Sequence, residues 1–216
     1  MGAIAYGSEY VFNAGTSSYI SVSVLDSTHF VVAYQDGGNS YYGTAIIGTV
    51  SSGNQIAYGS EYVFNAGASY FISVSVLDST HFVVAYKDGG NSNYGTAIIG
   101  TVVFAPTVTT QDATSVAQTT CTGNGNITAT GGANATRRGI CYKVGTSGDP
   151  TTADSVAYDD GDFGTGAFTK AITGLTAGTG YRVRAYATNS AGTSYGSTVQ
   201  VTTLSSATAA FLLMMV

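Results

Sequence analysis

The chain is 216 residues long, enough for one or two ordinary domains, and only 9% of it is charged, against roughly 25% in an average soluble domain. Twenty-nine glycines, 16 tyrosines and no tryptophan, in a background of Ser, Thr and Val, suit strands and tight turns and argue against helices or a disordered chain. Residues 1–104 carry the whole net charge of −5, six acids against Lys87 alone, while residues 105–216 hold six acids and six bases; this excludes nucleic acid and anionic membrane surfaces as partners, because both demand clustered Lys and Arg.

The opening residues, Met1 to Tyr6, have neither a basic stretch nor an apolar core, so they do not read as a signal peptide. The N-terminal half is a repeat. Residues 4–50 and 56–102 align at a period of 52 with 42 of 47 positions identical; the differences are Thr16/Ala68, Ser18/Tyr70, Tyr19/Phe71, Gln35/Lys87 and Tyr41/Asn93. A period of this length marks a unit that buries its face against a copy of itself.

Each unit reads as four strands. Residues 20–24 alternate apolar and polar at period two, and Leu25-Asp26-Ser27-Thr28 comes next as a turn whose Asp and Ser bond their own backbone. Residues 29–34 form the second strand, Asp36-Gly37-Gly38-Asn39-Ser40 a connection rich in residues that tolerate positive φ, residues 43–50 the third strand, and residues 56–64 the fourth.

Four short antiparallel strands in about 50 residues match one blade of a β-propeller. The stretch Leu25-Asp26-Ser27-Thr28-His29-Phe30-Val31-Val32-Ala33-Tyr34 with its Asp-Gly-Gly-Asn loop resembles blade-type repeats of bacterial surface proteins, and the resemblance covers residues 3–103. The phase of the repeat matters more. The chain opens on a fourth-type strand, residues 4–12 with Ile4, Tyr6, Tyr10 and Phe12, and the second unit stops after a third-type strand. Two blades do not close a ring, and an open strand edge is an association site. Either chains share strands with one another, as a ring or a head-to-tail filament, or the two units pack face to face as a sandwich within one chain.

Phe104-Ala105-Pro106 opens a second domain, residues 105–204, where the repeat is gone. Strands are expected at residues 107–110, 115–122, 125–130, 138–144, 167–173, 181–189 and 197–203, the spacing of an immunoglobulin-like sandwich. The run from Ile172-Thr173-Gly174-Leu175 through Tyr181-Arg182-Val183-Arg184-Ala185-Tyr186 to Asn189 resembles fibronectin type III modules of bacterial secreted proteins. That resemblance implies a tyrosine corner at Tyr181 bonding the backbone near Leu175, and a spacer or adhesion role with little chemistry. Ala177 stands where the family usually has Pro, which loosens the turn. The apolar tail, residues 205–216 with Phe211, Leu212 and Leu213, is too short to span a bilayer, which takes about 20 residues; it reads as a segment that docks on a neighbouring subunit, with a disordered end or the start of a lost anchor as the alternatives.

No residue set demands a reaction. Gly192-Thr193-Ser194-Tyr195-Gly196 has the form G-x-S-x-G but lacks a following His and sits between sandwich strands. His29 and His81 hold equivalent positions without a third metal ligand beside them. Asp159-Asp160-Gly161-Asp162 is an acid-rich turn that does not match a calcium loop. Cys121 and Cys141 are either a disulfide or two buried thiols. Tyr34, Asp36 and Asn39, with their copies Tyr86, Asp88 and Asn91, pair aromatic and polar groups as a sugar site does. The expectation is an all-β, extracellular, non-enzymatic structural protein without cofactor or metal, forming a homo-oligomer or polymer by inter-subunit strand pairing. The alternatives are a lectin-like carbohydrate-binding module and a phage fibre or decoration protein.

Overall fold

The alternation in the first repeat becomes three antiparallel strands, β1 (Ser17–Val24), β2 (His29–Asp36) and β3 (Tyr42–Val50), in a computed structural model that describes residues 6–206. The β1–β2 turn forms because Asp26 Oδ1 accepts from the backbone N–H of Thr28 (2.7 Å) and His29 (2.9 Å), while the N–H of Leu25 and Asp26 both donate to His29 O. In the β2–β3 turn the positive φ angles fall on Ser40 and Tyr41, not on the glycines. Gly37 is needed for closeness instead: a Cβ there would lie 3.0 Å from Thr16.

Beyond β3 the chain departs from separate blades. β4 (Ile56–Tyr58) and the first half of β5 (Tyr62–Val76) run along the outer edge of β3, pairing Val50 with Ile56 at one end and Ala45 with Tyr62 further along. The second half of β5 then pairs with β6 (His81–Asp88), which pairs with β7 (Tyr94–Thr101). The result is one seven-stranded sheet, β1-β2-β3-β5-β6-β7 with β4 beside β3, and β5 belongs to both halves. The blade expectation is corrected at this point. The fourth strand of the first unit and the first strand of the second are one 15-residue strand, because the Asn65-Ala66-Gly67 stretch bulges the ladder without breaking it. The opening strand expected at residues 4–12 is not seen: residues 6–16 form none.

The two halves of the sheet pack on one another around Leu25, Val31 and Ala33 from the first repeat and Ile72, Val74 and Val84 from the second. The contact is front to back. Val84 is the copy of Val32, whose side chain lies on the opposite face from Val31, so the second repeat offers one face and the first repeat the other. Val32, Tyr34 and Ile46 form a smaller cluster on the far face of the first repeat, with Phe12, Phe30 and Tyr58 packed against it.

The chain divides into two compact units, Met1–Val102 and Val103–Val216. In the second, β8 (Thr107–Thr114) and β9 (Thr120–Ala129) are followed by β10 (Ala135–Val144), β11 (Ser155–Phe163), β12 (Gly166–Thr173), β13 (Gly180–Asn189), β14 (Gly192–Tyr195) and β15 (Val199–Thr202). They form a three-stranded sheet, β12-β9-β8, and a five-stranded one, β11-β10-β13-β14 with β15 also beside β13. Inward residues of both sheets, among them Cys121, Ile127, Ile140, Phe168 and Val183, make one core. This is a β-sandwich with the expected corner: Tyr181 Oη accepts from the N–H of Thr176 at 2.9 Å. Three strand expectations shift. Residues 125–130 are not separate but continue β9, Gly192–Tyr195, read as lying between strands, is β14, and β11, read as an acid turn, is a full strand. Its acids point at cations on its neighbours, Asp160 to Arg137 Nε (2.6 Å) and Asp159 to Lys170 Nζ (2.7 Å).

Candidate functional site

The Asp-Gly-Gly-Asn loops are built for their own turn. Asp36 and Asp88 are buried, and each Oδ1 accepts from an asparagine side chain and from a loop glycine: Asn13 and Gly38 in one repeat, Asn65 and Gly90 in the other. Tyr34 is 0% exposed, and its hydroxyl donates to Glu61 Oε1 at 2.6 Å. Burial, then that bond and the nearby Glu61 and Asp36 charges, push its hydroxyl far above the usual tyrosine value. Tyr86 is buried as well, which also raises its hydroxyl. Of the six residues expected to face a ligand, only Asn39 and Asn91 lie on the surface. Each aspartate is thus engaged inside the repeat, and Tyr34 is tied to Glu61.

A different set of side chains surrounds an open hollow of about 500 Å³: Ser18, Tyr19, Gln35, Tyr41 and Tyr70. Tyr19 meets Tyr70 edge to face with ring centroids 5.8 Å apart, and Lys87 Nζ lies 5.8 Å from the centre of the Tyr70 ring. Gln35 is buried and donates Nε2 to Ser69 O at 2.8 Å. All five residues stand at positions where the two repeats differ. Reading the repeats for what they share directs attention away from this spot; the differences, mapped as a set, are the signal that finds it.

The remaining candidates have structural partners. His29 Nδ1 lies 2.8 Å from Asp26, and His81 Nδ1 lies 3.0 Å from Asp78. Burial opposes ionisation of Asp26, but bonds from Thr28 and His29 outweigh it and hold the carboxyl at about 2; bonds from Thr80 and then His81 do the same for Asp78. Ser194 Oγ donates to Pro106 O. Cys121 and Cys141 are free thiols. Cys121 faces the sandwich core while Cys141, next to the inward Ile140, faces the other side of its sheet, so no bond between them is within reach. Burial pushes Cys121 up and Cys141 to about 11. Among the described residues no three His, Cys, Asp or Glu gather to hold a metal, and no helix is long and apolar enough to cross a membrane.

Of the residues assigned to assembly, Ile4, Phe211, Leu212 and Leu213 lie outside the described residues. Tyr6 is exposed, Tyr10 partly so, and Phe12 packs on Tyr34 and Tyr58 with centroids 5.0 and 6.0 Å away. Across the fold, β7 is an edge: its inner side pairs with β6 and no described residue pairs with its outer side.

No family model matches the chain, and no curated protein does. Solved structures similar to it include a two-domain fibronectin type III segment of chicken tenascin (14% identity, 87% of this chain and 99% of that one, TM-score 0.40). The FN1–FN3 domains of chicken CNTN1 (10%, 88% and 99%, 0.34) and the sensor domain of the anti-sigma factor RsgI4 from Pseudobacteroides cellulosolvens (14%, 48% and 99%, 0.37) are others.

Proposed function

We propose that the protein is a non-enzymatic extracellular structural subunit that assembles by pairing strands with copies of itself. One observation carries the reading. The outer edge of β3 is covered along its length by β4 and the first half of β5, whereas no described residue pairs with the outer edge of β7, its copy, and residues 6–16, the copy of residues 58–68, form no strand. An open edge and an unused strand segment of matching sequence complete each other between chains. Shifting the β3–β5 register by one repeat pairs Gly95 with Asn13, Thr96 with Val11 and Ala97 with Tyr10 of a neighbouring chain. The low charge and the sandwich C-terminal to the repeats support an extracellular spacer role.

Light scattering and negative-stain microscopy test it. The parent chain should form particles that grow with concentration, and deletion of residues 1–11, which keeps Phe12 and Asn13 in place, should leave a monomer with an unchanged melting temperature. A parent chain that stays monomeric, or a deletion that assembles like the parent, overturns the reading.

A second reading, binding of carbohydrate, is favoured by the hollow, where Tyr19, Tyr41 and Tyr70 offer ring faces beside the Gln35 amide. Tyr41→Ala should then abolish glycan-array binding at constant melting temperature; a parent chain that binds no glycan on the array sinks this reading.

A further inference from the structure

We infer that copies of this chain join head to tail through the same front-to-back joint that holds its own two repeats together, so that the partner of its exposed apolar faces is a second copy. This rests on the assembly reading above and specifies which surfaces meet.

Each side of the internal joint has a copy that stands open. Val74 is 8% exposed inside the joint, and its copy Val22 is 62% exposed, on a face with Ile20 and Val24. On the other side Leu25 is 7% exposed and its copy Leu77 59%; Ile47 packs against the joint while its copy Ile99 is 63% exposed. The first repeat thus leaves the β1 part of its front unfilled, beside Val32 and Tyr34 that Phe12 and Tyr58 pack against, and the second repeat leaves its back unfilled; the internal joint is made by the copies of these two surfaces. Repeat arrays ordinarily end in units with a polar outer face; here the outward faces of both repeats are apolar.

The smaller fittings of the joint are duplicated too. Phe64 packs on Tyr86 with centroids 5.1 Å apart and covers Gly43, where a Cβ would strike the Phe64 ring and come within 2.6 Å of Ser69 Oγ. Gly95, the copy of Gly43, has nothing within 4 Å. Phe12, the copy of Phe64, already stands 5.0 Å from Tyr34, and Asn13 bonds Ser17 and Asp36 as Asn65 bonds Ser69 and Asp88. The head is therefore set in the shape the joint uses, and docking it onto a neighbour's Gly95 needs no refolding. Three polar contacts transfer with it. Tyr34 Oη to Glu61 becomes Tyr86 to Glu9 of the next copy. The Val74 N–H to Ser21 Oγ bond becomes Val22 to Ser73. Gln35 Nε2 to Ser69 O becomes Lys87 Nζ to Ser17 O, an ammonium donating where an amide did. A joint that uses different surfaces on its two sides propagates unless it closes on itself.

Sedimentation velocity on full-length variants tests this. Gly95 is not in the left-handed region and meets nothing, so Gly95→Leu should keep the parent melting temperature and yet abolish growth by blocking the tail. Val22→Lys should do the same from the head. Mixed in equal amounts, the two variants should form a one-to-one pair and stop there, since each keeps one working end. If both variants assemble like the parent, the joint is wrong while the assembly reading stands. If the mixture stays monomeric, the joint is likewise overturned. A monomeric parent overturns the assembly reading and this inference with it.

Discussion

Asp26 and Asp78 show at single residues how the repeat holds its turns. Their carboxyls are held at about 2 in the folded chain, below the ~3.9 of an unfolded aspartate. A lowered folded value stabilises above the unfolded one and is lost as pH falls through the folded one. The repeat unit should therefore lose melting temperature between about pH 4 and pH 2, and the double variant Asp26→Asn, Asp78→Asn should flatten that slope; a slope unchanged in the variant would assign the acid sensitivity elsewhere. The turn was readable from Leu25-Asp26-Ser27-Thr28 because an Asx turn needs only neighbours along the chain. The burial of Tyr34 was not, because its cover, Phe12, Tyr58 and Glu61, comes from segments up to 27 residues away. For the same reason the Asp-Gly-Gly-Asn loops look like a ligand site in sequence, whereas in the fold Asp36 and Asp88 are buried and bonded by Asn13 and Asn65 from outside the loop.

At the scale of strands, identical sequence does not mean identical environment. Ile72 lies in the joint at 7% exposure and its copy Ile20 is 53% exposed. In dilute solution, where chains are single, Ile72→Ala should cost about 2–5 kcal/mol, the range for a large core residue cut to Ala, and Ile20→Ala less than about 0.5 kcal/mol. Equal losses from the two, measured by urea unfolding, would contradict the front-to-back packing. Period-two alternation located β1, β2, β3 and their copies closely. It missed that residues 62–76 are one strand, since the alternation stops at residue 64 and the pairing with β3 carries the strand on past Asn65. It missed β11 because acids that answer Arg137 on the paired β10 and Lys170 on β12 of the other sheet look, in one dimension, like a solvated turn.

For the molecule as a whole, the contact pattern divides the chain at Val102 and Val103. The repeat unit has one shared strand and one main core, so its halves should unfold together, and the sandwich should unfold on its own. Calorimetry should resolve two transitions, with Ile72→Ala lowering only one of them. Three transitions would mean that the repeats melt separately despite β5. The corner Tyr181 and most of the strand spacing of the sandwich were legible in the sequence alone. The direction of packing between repeats was not, because a repeat announces that it meets its copy and is silent on which face it turns.

Because β5 hands the chain from one repeat to the next without a break, the number of repeats and the number of ends are independent. Splicing in a third 52-residue unit after Val102 would add one more filled joint and leave the same front at the start and the same back at the finish. Lengthening the array by duplication therefore never caps it. It only dilutes the ends, so that fewer of them remain per gram of protein.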